Sequence, residues 1–379
     1  MKFGFFTIST FDLIPLCKHI TDHVCLLSDE NSVDMVQCQV ANTLEYHNKV
    51  RKISIGEFAG RTDVRLQSFQ FKIAKYFKLI YQMIRFQIKN RSAIFYTVDL
   101  PTLNIFMLIQ SLFFFNRNYV IYHQFEILEP DAYTAYDRFN LALFKMMKKR
   151  LDLFICPEAN RIEYFIEISG KATYRTYLFP NTTTPTHWVA DTHISNDKTI
   201  TIAHIGTAVG GHYTQQFLEV ISDLDGIRDY KVQFIGYLPT EVKNLVQSYN
   251  LPHLELIDDL PHKKLQEYYG KIDIGIILYK DLGINYKYCA PNKLYEYWAN
   301  GIYVIAHPLD GLVSIFADDK LGKLCDMDNE AEFKNAVLSA MEEWDNNTRV
   351  QIMAIFEEKY SIKIYFEGLS RILSEQFIN

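Results

Sequence analysis

The run APNKLYEYWANGIYVIA, residues 290–306, carries side chains suited to holding an anion beside a pair of hydroxyl groups. Pro291 fits the first turn of a helix, where its missing N–H would have no partner anyway. Asn292 and Lys293 then stand at the positive end of the helix dipole, a place where a cation disfavours the bare helix. A docked diphosphate reverses that balance, because backbone N–H groups and the ammonium share its charge. Glu296 lies one turn beyond Asn292 on the same face, and a carboxylate there can accept two hydroxyl protons, as from a ribose. Gly301 closes the helix, and IYVIA begins a buried strand. The plainer alternative is an amphipathic helix whose Lys and Glu meet only solvent.

The elements that must position such a site follow from periodicity. Short apolar or β-branched runs alternate with helix-period segments, which predicts parallel sheets with crossover helices. Strands are expected at KFGFFTIS, HVCLLSD, AIFYTVD, NYVIYHQF and LDLFICPE, then at TIAHIGT, KVQFIGY, LELIDDL, IDIGIILY and GIYVIAH. Helices are expected at 213–224, 240–249, 262–270 and 291–300, and from Asp328 to the end. At 379 residues the chain exceeds one ordinary core. The Pro, Asn, Thr and Asp cluster FPNTTTPTHWVADTHISNDKTI marks a break between two doubly wound domains. Ligands of such sheets sit at the carboxyl ends of the strands.

Composition excludes several classes. The chain is 49% hydrophobic and 22% charged, hence globular. Its net charge of −6, with no matching motif, argues against nucleic acid as a partner. The 6 cysteines show no C-x-x-C spacing and read as reduced thiols. No signal peptide and no apolar run long enough to cross a bilayer is seen. Residues 1–190 hold 22 Lys and Arg against 17 acids, whereas residues 191–379 hold 17 against 28. A basic half facing an anionic surface or ligand and ordinary drift both fit that asymmetry.

PNKLYEYWANGIYVI resembles the P-x-K-x-x-E-Y-x-A-x-G-x-x-V-I block of GT-B glycosyltransferases, in particular family 4, the group 1 glycosyltransferases. In the order that family has, YHQFE, LFPNTT, TIAHIGTAVGGHYTQQFLEVISDL, KVQFIGYLP and LPHKKLQEYYGKIDIGIILYK resemble further family segments. The resemblance implies an α/β GT-B fold of two Rossmann-like domains facing across a cleft. Residues 1–190 would bind the acceptor, 191–358 the nucleotide-sugar donor, and helix 359–379 would cross back to the first domain.

Carried over by position, Lys293 meets the donor diphosphate and Glu296 the ribose, with Pro291, Asn292 and Leu294 beside them. Gly206 and Thr207 approach the phosphates through their backbone. The base lies near Gly236, Tyr237, Asp259 and Leu260, and Asn285 and Tyr286 lie near the sugar. Two departures stand out. The family's Arg and Lys after the second-domain glycine are missing from GTAVGGHYTQ, so Lys280 and Lys287 join Lys293 as candidate phosphate partners. Tyr288 occupies the first Glu of the family's E-x7-E pattern.

His123, at the end of YVIYH, and Glu126, close behind it in HQFEILEP, are the candidate catalytic residues. His123 would hydrogen-bond the donor sugar in a retaining site, and either could be general base in an inverting one. A purely structural histidine is the alternative. Thr10, Asp12 and Asp99 are acceptor-side candidates, with a helix N-cap the plainer reading of Asp99. No D-x-D motif sits at a strand end, and GT-B enzymes need no metal, so no metal and no cofactor are expected beyond a UDP- or GDP-sugar. The expected reaction moves a sugar to a saccharide or lipid-linked saccharide in bacterial surface-polysaccharide synthesis. The alternatives are an inactive GT-B binding or scaffolding module and a UDP-sugar 2-epimerase-like enzyme. Lys72, Lys75, Lys78, Gln82, Arg85 and Lys89 form one stripe of helix 71–91. With FKMMKKR at 144–150, it reads either as a solvated face or as contact with an anionic membrane from the cytoplasmic side.

Overall fold

The computed structural model describes the chain except residues 41–43, 59–68, 114–116, 128, 130–131, 185–198, 209–210, 225–228, 259, 261, 317–319 and 378–379. It divides into two compact units, Met1–Pro180 and Asn181–Asn379. The boundary expected at residue 190 falls outside the described residues, and the helix expected to cross back, Ile362–Phe377, groups with the second unit.

The first unit is a parallel sheet in the order β3-β2-β1-β4-β5-β6-β7. Its strands are β1 (Lys2–Phe6), β2 (Ser32–Gln39), β3 (Val50–Glu57), β4 (Ile94–Thr97), β5 (Tyr119–His123), β6 (Leu153–Cys156) and β7 (Arg175–Leu178). Helices α1 (Pro15–Leu26), α2 (Phe69–Lys89), α3 (Leu100–Leu112), α4 (Ala135–Met147) and α5 (Ala159–Ser169) connect them. The expected strand HVCLLSD is instead the end of α1. Leu16, Cys17, Ile20, Val24 and Cys25 are buried at helical spacing, which a short apolar window cannot distinguish from a strand. Strand β2 escapes the sequence pattern because it buries Asp34 and Gln37, and β3 because it is an edge strand that leaves Arg51 and Lys52 exposed. Asp34 is paired there with Lys2 at 3.0 Å and Arg51 at 2.9 Å.

The second unit repeats the plan, in the order β10-β9-β8-β11-β12-β13. Its strands are β8 (Ile200–Ile205), β9 (Tyr230–Ile235), β10 (Leu254–Ile257), β11 (Ile274–Ile277), β12 (Tyr303–Ala306) and β13 (Gly322–Leu324). Helices α6 (Thr214–Ser222), α7 (Thr240–Ser248), α8 (His262–Tyr269), α9 (Ile284–Lys287), α10 (Asn292–Ala299) and α11 (Asp310–Val313) intervene. The chain closes with α12 (Glu330–Glu343), α13 (Asn346–Lys359) and α14 (Ile362–Phe377). In each unit the chain runs outward from one central strand, returns, and continues on its other side. The switch point lies between β1 and β4 in one unit and between β8 and β11 in the other.

Helix α10 is anchored by large side chains. Tyr295, Tyr297 and Trp298 are essentially fully buried, each contributing on the order of several kcal/mol through apolar burial. The Trp298 indole donates to the Leu321 carbonyl at 2.9 Å. The Tyr297 hydroxyl accepts from Ile205 N at 2.8 Å and donates to Ala203 O at 3.3 Å, tying the helix to the carboxyl end of β8. Its ring leaves no room for a side chain on β11, since a Cβ on Gly275 would lie 2.7 Å from it. Tyr297→Phe should therefore lower stability by about 1–3 kcal/mol, the cost of orphaning a buried N–H. Urea unfolding followed by tryptophan fluorescence measures this, and an unchanged midpoint would contradict the role.

Candidate active site

Two glycines shape the second unit's switch point. Gly206 follows β8 with φ +131°, and Gly236 follows β9 with φ +133°. A Cβ on Gly236 would stand 2.5 Å from the Gly206 carbonyl oxygen, whereas one on Gly206 would meet nothing within 4 Å. The space over Gly206 is open, and the backbone there can be approached closely. Thr207 continues this loop, and beyond it His212 is buried with its ring 5.3 Å from Tyr279 and 5.5 Å from Tyr286. His212 thus brings the loop against Tyr286, which lies with Asn285 on α9.

Pro291 caps α10 with extended φ and ψ, and the helix begins at Asn292. The Lys293 ammonium lies 2.6 Å from Glu296 Oε2. Tyr269, buried at the end of α8, donates to the same carboxylate oxygen, and its own hydroxyl accepts from Lys293 at 3.2 Å. Burial first, then the Glu296 charge, hold the Tyr269 phenol well above its ordinary range, so it stays a donor. Tyr269 was not visible as a site residue in the sequence. Its signal is weak, because a Tyr at a helix end before Gly270 reads as core. Leu294 is fully buried in the core, so its side chain takes no part.

Further along the carboxyl ends, Lys280 pairs with Asp328 at 2.8 Å. Tyr213, at the start of α6, also donates to Asp328 at 2.7 Å. His307 follows β12 and faces Asp326 at 3.6 Å. His307, Asp326 and Asp328 offer oxygen and nitrogen atoms within 4.8 Å of one another. Of this set, Asp328 is already shared by Lys280 and Tyr213, and Asp326 accepts from Asp328 N at 3.0 Å. Lys287 pairs with Asp310 at 3.5 Å. Tyr237 projects into solvent after β9, Leu260 is partly buried, and Asp259 lies outside the described residues.

In the first unit a cavity of about 630 Å³ opens at the carboxyl ends of β1, β4 and β5, with Thr10, Asp99, Gln124, Phe125 and Glu126 in its wall. His123 does not reach it. The ring is 0% exposed, its Nδ1 lies 2.7 Å from the Tyr96 hydroxyl, and it stacks on Phe125 at 4.1 Å. Burial pushes the imidazole down to about 3, so it is neutral. His204, buried in β8, is lowered to about 4, chiefly by burial. Asp99 caps α3 through Thr102 N at 2.8 Å and accepts from Thr7 at 2.6 Å, so its capping role holds. Asp12 is spent on structure: its carboxylate accepts from Gln37 at 2.8 Å and from Leu44 N and Lys52, both at 3.2 Å.

Residues 190–354 match the family described as Glycosyl transferases group 1. No curated protein sequence matches the chain. Among solved structures, HepE from Anabaena in complex with UDP is similar at TM-score 0.68 and 13% identity, covering 99% of this chain and 100% of that one. A glycosyltransferase from Rickettsia africae is similar at TM-score 0.71 and 11% identity, covering 100% and 99%. Sucrose-phosphate synthase from Thermosynechococcus elongatus is similar at TM-score 0.65 and 13% identity, covering 100% and 99%. The fold is GT-B, and the chain resembles the group 1 glycosyltransferases, as PNKLYEYWANGIYVI suggested.

Gly236→Ala, which meets both backbone strain and the Gly206 carbonyl, should cost about 2–4 kcal/mol, and Gly206→Ala about 1–2 from strain alone. Equal losses in urea unfolding would contradict the close approach. Because His123 and His204 have folded values below the ordinary 6.5, the unfolded chain binds more protons between those values. Stability should thus fall as pH drops from 6.5 toward 4, by up to about 1.4 kcal/mol per histidine per pH unit. Calorimetry at stepped pH reads this, and imidazole NMR signals that titrate normally would contradict it.

Proposed function

We propose that this chain is a glycosyltransferase that moves a sugar from a nucleoside diphosphate sugar, UDP- or GDP-linked, to a hydroxyl of a saccharide or lipid-linked saccharide. Surface-polysaccharide synthesis is the setting that suits this acceptor. The observation that carries the reading is the Lys293–Glu296–Tyr269 cluster at the front of α10, inside the segment that matches the group 1 family. Lys293 is placed to neutralise a diphosphate, and Glu296, steadied by Tyr269, to accept hydroxyl protons of a ribose. The glycine at position 206 leaves its backbone approachable.

In the transfer, the bond between the anomeric carbon and the diphosphate oxygen breaks, and a bond to the acceptor oxygen forms. The acceptor proton passes to a base or to the leaving diphosphate, and the diphosphate carries away the electron pair. Charge develops on the leaving oxygen, so Lys293 and the backbone N–H groups near it stabilise the transition state more than the ground state. Glu126, exposed in the wall of the first unit's cavity, is the candidate base. His123 acts through packing, since it is buried and neutral.

UDP or GDP should raise the melting temperature of the wild type, by the equivalent of about 2.7 kcal/mol near 100 Kd. The Glu296→Ala variant should lose most of that shift. Release of the same nucleotide from its sugar conjugate, dependent on acceptor, should follow. A shift without any turnover would favour an inactive binding module, and no shift with any nucleotide would remove the reading.

A further inference from the structure

Helices α2, α3 and α4 pack side by side over one face of the first sheet, with inner sides in the core around Leu79, Met83, Phe106 and Phe144. Asn104 of α3 donates to Asn140 of α4 at 2.8 Å, and Tyr76 of α2 meets Tyr136 of α4 at 2.7 Å. Their outer sides are unusual for a solvated surface. The outward positions of α3 are Pro101, Ile105, Leu108 and Leu112, with Leu112 75% exposed, and α3 contains no charged residue. On α2, Phe77 is 68% exposed, and on α4 Phe139 is 64% and Met146 80% exposed. Single exposed apolar side chains are ordinary, but here they recur on three neighbouring helices.

The charges on this face have one sign. Lys78, Arg85 and Lys89 of α2, Arg138 and Lys145 of α4, and Lys149 in the turn that follows α4 are exposed, while α2 has no acidic residue and α4 has Asp137 alone. Lys75, expected in the basic stripe, instead turns inward to the Glu57 carbonyl. The outer face that remains alternates rings and aliphatic chains with cations. Long basic side chains can lay their stems on apolar surface and hold their heads at the rim.

We infer that the outer face of α2, α3 and α4 docks on the surface of an anionic lipid bilayer. Phe77, Leu112, Phe139 and Met146 enter the headgroup–acyl boundary, and the lysines and arginines meet lipid phosphates. The occupant is a bilayer surface because apolar insertion and, among the described residues, a cationic rim are both present. An ordinary protein partner would leave such unmatched cations as a cost at the core of its interface. Among the described residues no helix is long and apolar enough to cross a membrane, so the contact is peripheral. The inference stands apart from the reaction proposed above, since it uses no residue of the donor cluster.

The test is flotation of the full chain with phosphatidylcholine vesicles, with and without roughly one-third phosphatidylglycerol. The wild type should float only with the anionic vesicles. Replacing Lys78, Arg85, Lys89, Lys145 and Lys149 by Gln should weaken binding about a hundredfold or more. Replacing Phe77, Leu112, Phe139 and Met146 by Ser should weaken it at least about tenfold. Both variants should keep the wild-type melting temperature and nucleotide response. If the apolar variant melts early, Met146→Ser alone gives the same reading with a smaller shift. Equal binding to both vesicle types, binding to neither, or variants that float like the wild type would overturn the inference. So would sedimentation showing a wild-type dimer that the apolar variant converts to monomer.

Discussion

The second unit depends on where one phenol lies. Tyr297 reaches from α10 to the end of β8 and satisfies Ile205 N, the last backbone donor of the central strand. That bond fixes how far α10 stands from the switch point and which way it is rotated. Glu296 and Lys293 follow from the rotation, because one position and one turn back from Tyr297 lie on the face turned toward α8 and Tyr269. The adjacent strand conforms in turn, since Gly275 is bare where the ring presses on it. A core contact and a site contact are therefore the same contact, made by neighbouring residues of one short helix.

Much of this was legible in the sequence. All five strands expected in the second half are present, because β-branched runs bounded by Gly, Pro and Asp are seldom anything else. The block around Lys293 and Glu296 stood out because Pro, Lys, Glu and Gly fall there at the spacing of a helix start, its next turn and its end. The first half was harder. There α1 buries Cys and Val at helical spacing and mimics a strand, while β2 hides Asp34 and Gln37 inside. Tyr269 escaped because its partner is 27 residues away, and no local pattern announces a tertiary hydrogen bond. His123 shows the reverse pattern. It stands at a strand end, as a functional histidine would, but its ring turns into the core.

The two units share a detail of construction that no motif reveals. Asp152, just before β6, donates its N–H to Val120 O at 3.1 Å and accepts from Val120 N at 2.8 Å. Asp273, just before β11, does the same with Thr201, both bonds at 2.9 Å. Each carboxylate also holds an arginine, Arg117 at 3.0 Å and Arg349 at 3.2 Å. A side chain thus extends the backbone ladder one step beyond the strand's first residue. Burial raises both carboxyls, and the arginine works against that rise.

The lysines at the second unit's carboxyl ends have already found carboxylates: Lys293 has Glu296, Lys280 has Asp328 and Lys287 has Asp310. A tethered carboxylate acts at a high effective concentration, which a loose ion in solution must outcompete. Stray phosphate or sulfate brings charge alone and gains little from displacing such a partner. A ligand that offers diphosphate to the ammonium and hydroxyls to the freed carboxylate compensates both members of the pair at once. On the reading proposed above, the internal pairing would favour a ligand that can do both jobs over an anion that brings charge alone.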